Sequence, residues 1–115
     1  MATKTDRKGD LPVAWKIVAG TPWPFEPEFR FHEKRRWRFD WFCEASMLAV
    51  EIEGLTYFGG GIGRHQSASG AEGDMDKYNT ALEHGIVVLR YSQRMIARDP
   101  VGVVNQIRDV LEMRQ

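Results

Sequence analysis

The stretch Leu48-Ala-Val-Glu-Ile-Glu-Gly54 decides the expected fold, because apolar residues alternate in it with a pair of acids. Side chains of a β-strand alternate between the two faces of a sheet, so the apolar residues of this stretch point one way. Glu51 and Glu53 then share the opposite face. Ionised side chains are normally kept away from a protein core. Two of them on one face of an apolar strand therefore indicate a functional site.

A second predicted strand ends in another acid. The run Arg36-Trp-Arg-Phe-Asp40 lies shortly before the first stretch, and Glu51 follows Asp40 by eleven positions in the numbering. If the two strands form a hairpin through residues 44–46, Asp40 joins the face that carries Glu51 and Glu53. Hard oxygen ligands concentrated at one position are what Mg²⁺ or Mn²⁺ requires. The sequence therefore predicts a divalent metal site on this face.

The remaining segments predict an α/β fold in which helices flank a mixed central sheet. Strands are expected at residues 29–31, 36–42, 48–53 and 86–91, the last being a β-branched run typical of a buried strand. Helices are expected at residues 72–84, which end before Gly85, and from Pro100 onward, where apolar residues recur with the helical period. Prolines and a glycine in residues 11–28 predict an irregular segment with a short helix or strand at residues 13–18, so the N-terminal helix is short or absent.

The composition excludes several classes of protein. The chain has 115 residues, 43% of them apolar and 28% charged, which suits a single domain at residues 11–115 behind a disordered basic tail at residues 1–10. No apolar run is long enough to span a bilayer, so no membrane partner is expected. The single cysteine, Cys43, excludes an internal disulfide and favours the reducing cytoplasm.

A cluster of basic residues precedes Asp40, although the formal net charge of the chain is zero. Residues 30–38 contain five lysines and arginines against one acid, and such clusters bind the phosphate backbone of nucleic acids. Arg36 and Arg38 are therefore predicted to contact DNA, while Trp37 and Trp41 alternate with them and are expected in the core. The alternative is a solvated, charged strand edge that discourages aggregation.

Residues 59–70 form a glycine-rich segment that contains Arg64 and His65. The segment lacks the lysine of a phosphate-binding Walker A loop. The imidazole of His65 could orient a water or contact a scissile phosphate, because its reference pKa allows either protonation state near neutrality. The alternative is an exposed histidine in a flexible loop without a catalytic role.

Five segments in the same order resemble the PD-(D/E)XK nuclease superfamily. They are residues 28–40, 48–54, 63–65, 74–79 and 85–90, and they are most similar to the compact phage and bacterial branch related to very-short-patch repair endonucleases. The resemblance implies a restriction-endonuclease-like αβββαβ core. It also implies that Asp40 and Glu51 bind the metal together with the carbonyl of Ile52.

The sequence departs from the superfamily pattern at Glu53, where the signature has a lysine. Glu53 could hold a second metal or accept a proton from the attacking water. Lys77, on the predicted helix, is a candidate for a lysine that has migrated, and the alternative is an ion pair with Asp74 in the same helix. Glu28 could replace the early glutamate of the superfamily or be a surface acid.

These observations together predict a metal-dependent endonuclease that hydrolyses phosphodiester bonds in DNA. A cation on Asp40 and Glu51 would activate water, and Arg64, His65 or Lys77 would stabilise developing charge. Two alternatives stay open: a catalytically silent nucleic-acid-binding protein with a nuclease fold, or a metal-dependent enzyme that acts on another substrate. A homodimer is compatible with the sequence but not required by it.

Overall fold

The computed structural model describes residues 10–53 and 68–115, which form a four-stranded mixed sheet flanked by helices. The strands are β1 (Glu26–Arg30), β2 (Arg38–Cys43), β3 (Leu48–Glu53) and β4 (Val87–Ser92). The helices are α1 (Asp10–Ala19), α2 (Ala68–Glu83), α3 (Gln93–Arg98) and α4 (Pro100–Met113). The strands lie in the order β1-β2-β3-β4, with antiparallel pairing up to β3 and parallel pairing of β3 with β4. The predicted α/β class is confirmed.

The larger core lies on the sheet face that packs against α1 and α4. Alternate residues of β3 are fully buried here, as the sequence pattern predicts, and α4 adds the apolar stripe that follows Pro100. Leu11 and Trp15 of α1 belong to the same cluster, and Trp23 stacks on Phe25 beside them. Full burial of each large apolar side chain contributes about 1.5–3 kcal/mol to folding, so this layer fixes the orientation of β3.

A smaller aromatic cluster lies on the opposite face, beneath α2. Phe29 stacks on Phe42 with ring centroids 4.2 Å apart, and Phe31 stacks on Phe39 at 4.6 Å. Ala81 of α2 is fully buried in this cluster. Because α2 is anchored by Ala81, the residues one helical turn earlier are directed toward the end of β3.

Helix α1 spans ten residues, so the prediction of an irregular segment is wrong for residues 11–19, and the short helix or strand predicted at residues 13–18 is a helix that extends beyond both of these bounds. Pro12 lies in its first turn, where a missing N–H leaves no helical hydrogen bond unmade. Helix α3 is not among the predicted elements. Its start is marked by Ser92, a residue type that favours the N-cap position, which accepts a hydrogen bond from the N–H of Met95. Within the two described ranges, none of the helices combines the length and apolar character needed to cross a bilayer.

Tyr91 makes the stability of the fold sensitive to alkaline pH. Burial raises its pKa to about 12, so the unfolded chain loses this proton at a lower pH than the folded chain does. The resulting stabilisation is complete below about pH 10 and is lost as the pH rises to about 12, by roughly 2–3 kcal/mol. We expect Tyr91→Phe to show a smaller fall in unfolding free energy across this range than the parent protein, measured by urea denaturation. Equal falls in the two proteins would contradict this role of Tyr91.

Candidate active site

Strands β2 and β3 separate at Asp40 and Glu51, and the two carboxylates bridge the gap between them. The last paired residues of this hairpin are Trp41 and Val50. Beyond this pair, Oδ2 of Asp40 accepts a hydrogen bond from the N–H of Ile52 at 2.7 Å. Oε2 of Glu51 accepts from the N–H of Asp40, also at 2.7 Å. The side chains thus satisfy backbone donors of the two separating strands.

Both carboxylates are buried, Asp40 with 5% and Glu51 with 8% of the residue surface exposed. Burial of an ionised carboxylate is costly unless hydrogen bonds or opposite charges compensate for lost hydration. Backbone N–H groups supply part of that compensation through short, charge-assisted hydrogen bonds. The predicted metal-binding acids are therefore held in fixed positions within the fold.

Helix α2 adds two polar contacts to Glu51. Nζ of Lys77 lies 2.9 Å from Oε1 of Glu51, and the hydroxyl of Tyr78 donates to the same oxygen at 3.2 Å. Lys77 is mostly buried, and its ammonium also lies 5.2 Å from the ring centroid of Phe39. Within the described residues, Lys77 pairs with Glu51 and not with Asp74, so the intrahelical alternative is not the observed contact.

Tyr78 is held in its protonated form. Burial raises its pKa well above the usual range, and the negative charge of Glu51 adds to this effect, while Arg90 opposes it. The guanidinium of Arg90 lies over the Tyr78 ring, 4.4 Å from its centroid. A protonated hydroxyl can donate a hydrogen bond, so Tyr78 fixes the orientation of the Glu51 carboxylate.

Glu53 lies at the end of β3 and is engaged by a cation of the neighbouring strand. Nε of Arg90 donates to Oε2 of Glu53 at 2.5 Å, and both side chains are half exposed. This hydrogen bond is the main cause of a raised pKa of Arg90. Sequence reasoning missed the contribution of Arg90, because the parallel register that places it opposite Glu51 depends on the strand order.

Glu28 lies in β1 between residues that pair with Trp41 and Phe39, so the register places it opposite Asp40. Its φ of 53° is in the left-handed region, which is unusual for a residue with a side chain. Such backbone strain concentrates at functional sites, where the surrounding structure holds it. The two positions opposite each other are both acidic.

The donor set suits a small divalent cation. Among residues 10–53 and 68–115, no group of three or more His, Cys, Asp or Glu side chains is arranged to hold a metal. Mg²⁺ is nevertheless commonly held by one or two carboxylates, with waters and substrate phosphates completing its shell. The fixed carboxylates of Asp40 and Glu51, with the carbonyl of Ile52 next in the chain, fit that requirement.

The predicted nucleic-acid contacts are described only in part. Arg36 and Arg38 line a surface pocket of about 380 Å³ together with Arg30. Arg64 and His65, predicted to contact nucleic acid and to assist catalysis, lie outside the described residues.

Comparisons with known proteins returned no relative. No protein-family model matches the sequence, no curated protein is significantly similar to it, and no solved structure is significantly similar to its fold.

Proposed function

We propose that this protein is a divalent-metal-dependent endonuclease that hydrolyses phosphodiester bonds in DNA, with a restriction-endonuclease-like fold of the PD-(D/E)XK superfamily. One observation carries the proposal: two buried carboxylates, Asp40 and Glu51, lie where β2 and β3 separate, and the ammonium of Lys77 contacts the second of them. Two acids with a lysine are the functional groups that the superfamily pattern requires. Here the lysine comes from α2 instead of β3.

The order of elements gives further support. Within residues 10–53 and 68–115 the elements up to β4 run α1-β1-β2-β3-α2-β4, and the αβββαβ order is the one that the resemblance implies. The candidate site lies at the ends of β2 and β3, the strands that carry the two acid motifs. Fold analogy alone does not establish an activity, so the proposal rests on the side chains brought together at this position.

The residues of the candidate site would have different roles in catalysis. Asp40, Glu51 and the carbonyl of Ile52 would hold Mg²⁺ or Mn²⁺, which when bound supplies polarisation of a phosphate oxygen and a lowered pKa of a bound water. Lys77 would place positive charge beside the charge that develops on the phosphate. Tyr78 would keep the Glu51 carboxylate oriented.

Glu53 has a separate place in this proposal. Its carboxylate lies at the solvent-exposed end of β3, so it could accept a proton from the attacking water or contribute to a second metal. Arg90 holds one of its oxygens and limits its movement. Release of this half-exposed ion pair requires little free energy, because exposed ion pairs contribute about 0–1 kcal/mol.

A catalytically silent nucleic-acid-binding protein is the second candidate. The observation that favours it is the double contact of Lys77 and Tyr78 with one oxygen of Glu51, which is also how a purely structural carboxylate would be satisfied. In that case the arginine pocket would bind nucleic acid without cleavage.

A cleavage panel tests the proposal directly. Duplex, branched and single-stranded DNA, with RNA in parallel, would be incubated with the protein in Mg²⁺, Mn²⁺, Ca²⁺ or EDTA. We expect products in Mg²⁺ or Mn²⁺ and none in EDTA, and Glu51→Ala should lack activity. Glu112→Ala, an exposed acid on α4, is the matched control. DNA binding without cleavage in any divalent ion would instead support the silent candidate, and equal cleavage by the parent protein and Glu51→Ala would exclude this site.

The products also report on assembly. One such site cuts one strand, so nicked duplex is expected from a single copy. Concerted double-strand cuts would indicate that two copies act together as the homodimer that the sequence allows.

A further inference from the structure

Three arginines converge at the end of the β1–β2 hairpin. Arg30 and Arg38 are the last paired residues of the two strands, and Arg36 lies two positions before Arg38. Their side chains line the pocket of about 380 Å³, and no acidic residue lines it within the described ranges.

Among the described residues, the pocket concentrates positive charge without a counter-ion in its lining. Like charges at directly opposite positions of an antiparallel pair destabilise the sheet, and Arg30 and Arg38 are such a pair. Within the described residues, Arg36 and Arg38 have no ion pair, whereas the neighbouring Arg35 is paired with Asp76. An anion in the pocket would remove this repulsion.

The pocket is already partly organised to receive such an anion. The guanidinium of Arg30 donates a hydrogen bond to the carbonyl of Arg35 at 3.4 Å, which restrains its position. Phe29 and Phe39 are packed beneath α2. Arg30 and Arg38 are their neighbours in the chain, so the side chains of these arginines lie on the opposite face of the sheet. The stacked rings thus form a rigid base under the cationic surface.

The position of the pocket relative to Asp40 suggests which anion it takes. Arg38 precedes Asp40 by two residues in β2, so their Cα atoms are roughly 7 Å apart at the usual strand rise. A phosphate held by the arginines would therefore lie beside the strand that carries Asp40, on the face of the sheet opposite α2. Guanidinium groups bind phosphate oxygens through paired, charge-assisted hydrogen bonds.

We propose that Arg30, Arg36 and Arg38 form a binding site for one phosphate group of a nucleic acid, distinct from the site of cleavage. The phosphate is either a terminal monoester or an internal diester of the same strand. Arg30, which belongs to the basic cluster of residues 30–38, completes the site from β1. The identity of the ligand as nucleic acid rests on the proposed function, whereas the affinity for phosphate does not.

Binding measurements in EDTA test this site separately from catalysis. The probes are a short fluorescent single-stranded DNA with a 5′-phosphate, the same DNA without it, and inorganic phosphate as a competitor. We expect Arg30→Gln to bind the phosphorylated DNA about tenfold more weakly, as loss of one charge-assisted contact implies. The slope of log K against log salt should fall by about 0.7 for one lost contact to a single strand. Arg30→Lys, which keeps the charge but not the planar fork, should recover only part of the affinity.

Arg98→Gln is the matched control, because Arg98 is an exposed arginine at the end of α3, beyond the opposite edge strand of the sheet. A 5′-phosphate preference that disappears in Arg30→Gln identifies a terminal monoester as the ligand. If Arg30→Gln binds both DNAs more weakly to the same extent, and inorganic phosphate competes with both for the parent protein, the ligand is an internal diester. Affinities of Arg30→Gln and Arg36→Gln equal to that of Arg98→Gln would overturn the proposal. Binding as expected by a protein that cleaves no substrate would contradict the nuclease function. It would still support the phosphate-binding site.

Discussion

Asp40→Asn is expected to reduce metal-dependent DNA cleavage by roughly a thousandfold or more, because a neutral amide is a poor ligand for a divalent cation. The change should leave the protein folded. Asparagine keeps a side-chain oxygen that can accept the hydrogen bond from the N–H of Ile52. It also removes one of two neighbouring buried negative charges. Initial rates of cleavage in saturating Mg²⁺, with thermal unfolding measured in parallel, check both parts of this expectation.

The control for Asp40→Asn is the same substitution at Asp109, an exposed position on α4. It should change neither the cleavage rate nor the unfolding temperature. DNA affinity measured in Ca²⁺ separates binding from chemistry, and Asp40→Asn should retain binding through the arginine pocket. Full cleavage activity in Asp40→Asn would show that the metal is held elsewhere. It would also contradict the assignment of Glu51 as a metal ligand.

The two acids of the candidate site could be predicted from sequence, because their positions depend on local rules. Strand alternation places Glu51 on the face opposite Leu48, Val50 and Ile52, and the hairpin through residues 44–47 brings Asp40 close to it. The contact of Lys77 with Glu51 could be anticipated only as a candidate. Its actual partner depends on how α2 crosses the sheet, which is set by packing of Ala81 against residues distant in sequence.

Strand alternation is an incomplete guide within β2. Uniform alternation from Arg36 to Trp41 predicts that Trp37 and Trp41 share one face. Instead Trp41 packs with the α1 and α4 cluster, whereas Trp37 stacks on Phe31 beside the α2 cluster. The pattern changes by one residue around Asp40, where β2 parts from β3 and the opposite residue Glu28 has a positive φ. A sequence with apolar residues on both faces does not reveal where such a change occurs.

Lys77→Met is expected to lower cleavage by about a hundredfold or more, the scale seen when one donor to a developing negative charge is removed. It should also destabilise the fold by about 3 kcal/mol, because the buried carboxylate of Glu51 loses its opposite charge. Loss of activity alone would therefore not separate catalysis from structure. Lys16→Met, at an exposed position on α1, is the matched control and should change neither quantity.

The double variant Lys77→Met with Glu51→Gln separates the two roles, because glutamine keeps the length of the side chain and removes its charge. A neutral amide at this position needs no cation. Its oxygen can still accept the hydrogen bond from the N–H of Asp40, and its NH2 group can donate to the hydroxyl oxygen of Tyr78. We therefore expect the double variant to recover most of the unfolding free energy lost in Lys77→Met, which a thermodynamic cycle of urea denaturation measures. Cleavage should remain absent, because neither the metal ligand nor the positive charge is restored. A Lys77→Met variant that is destabilised but cleaves at the parent rate would leave Lys77 with a structural role alone.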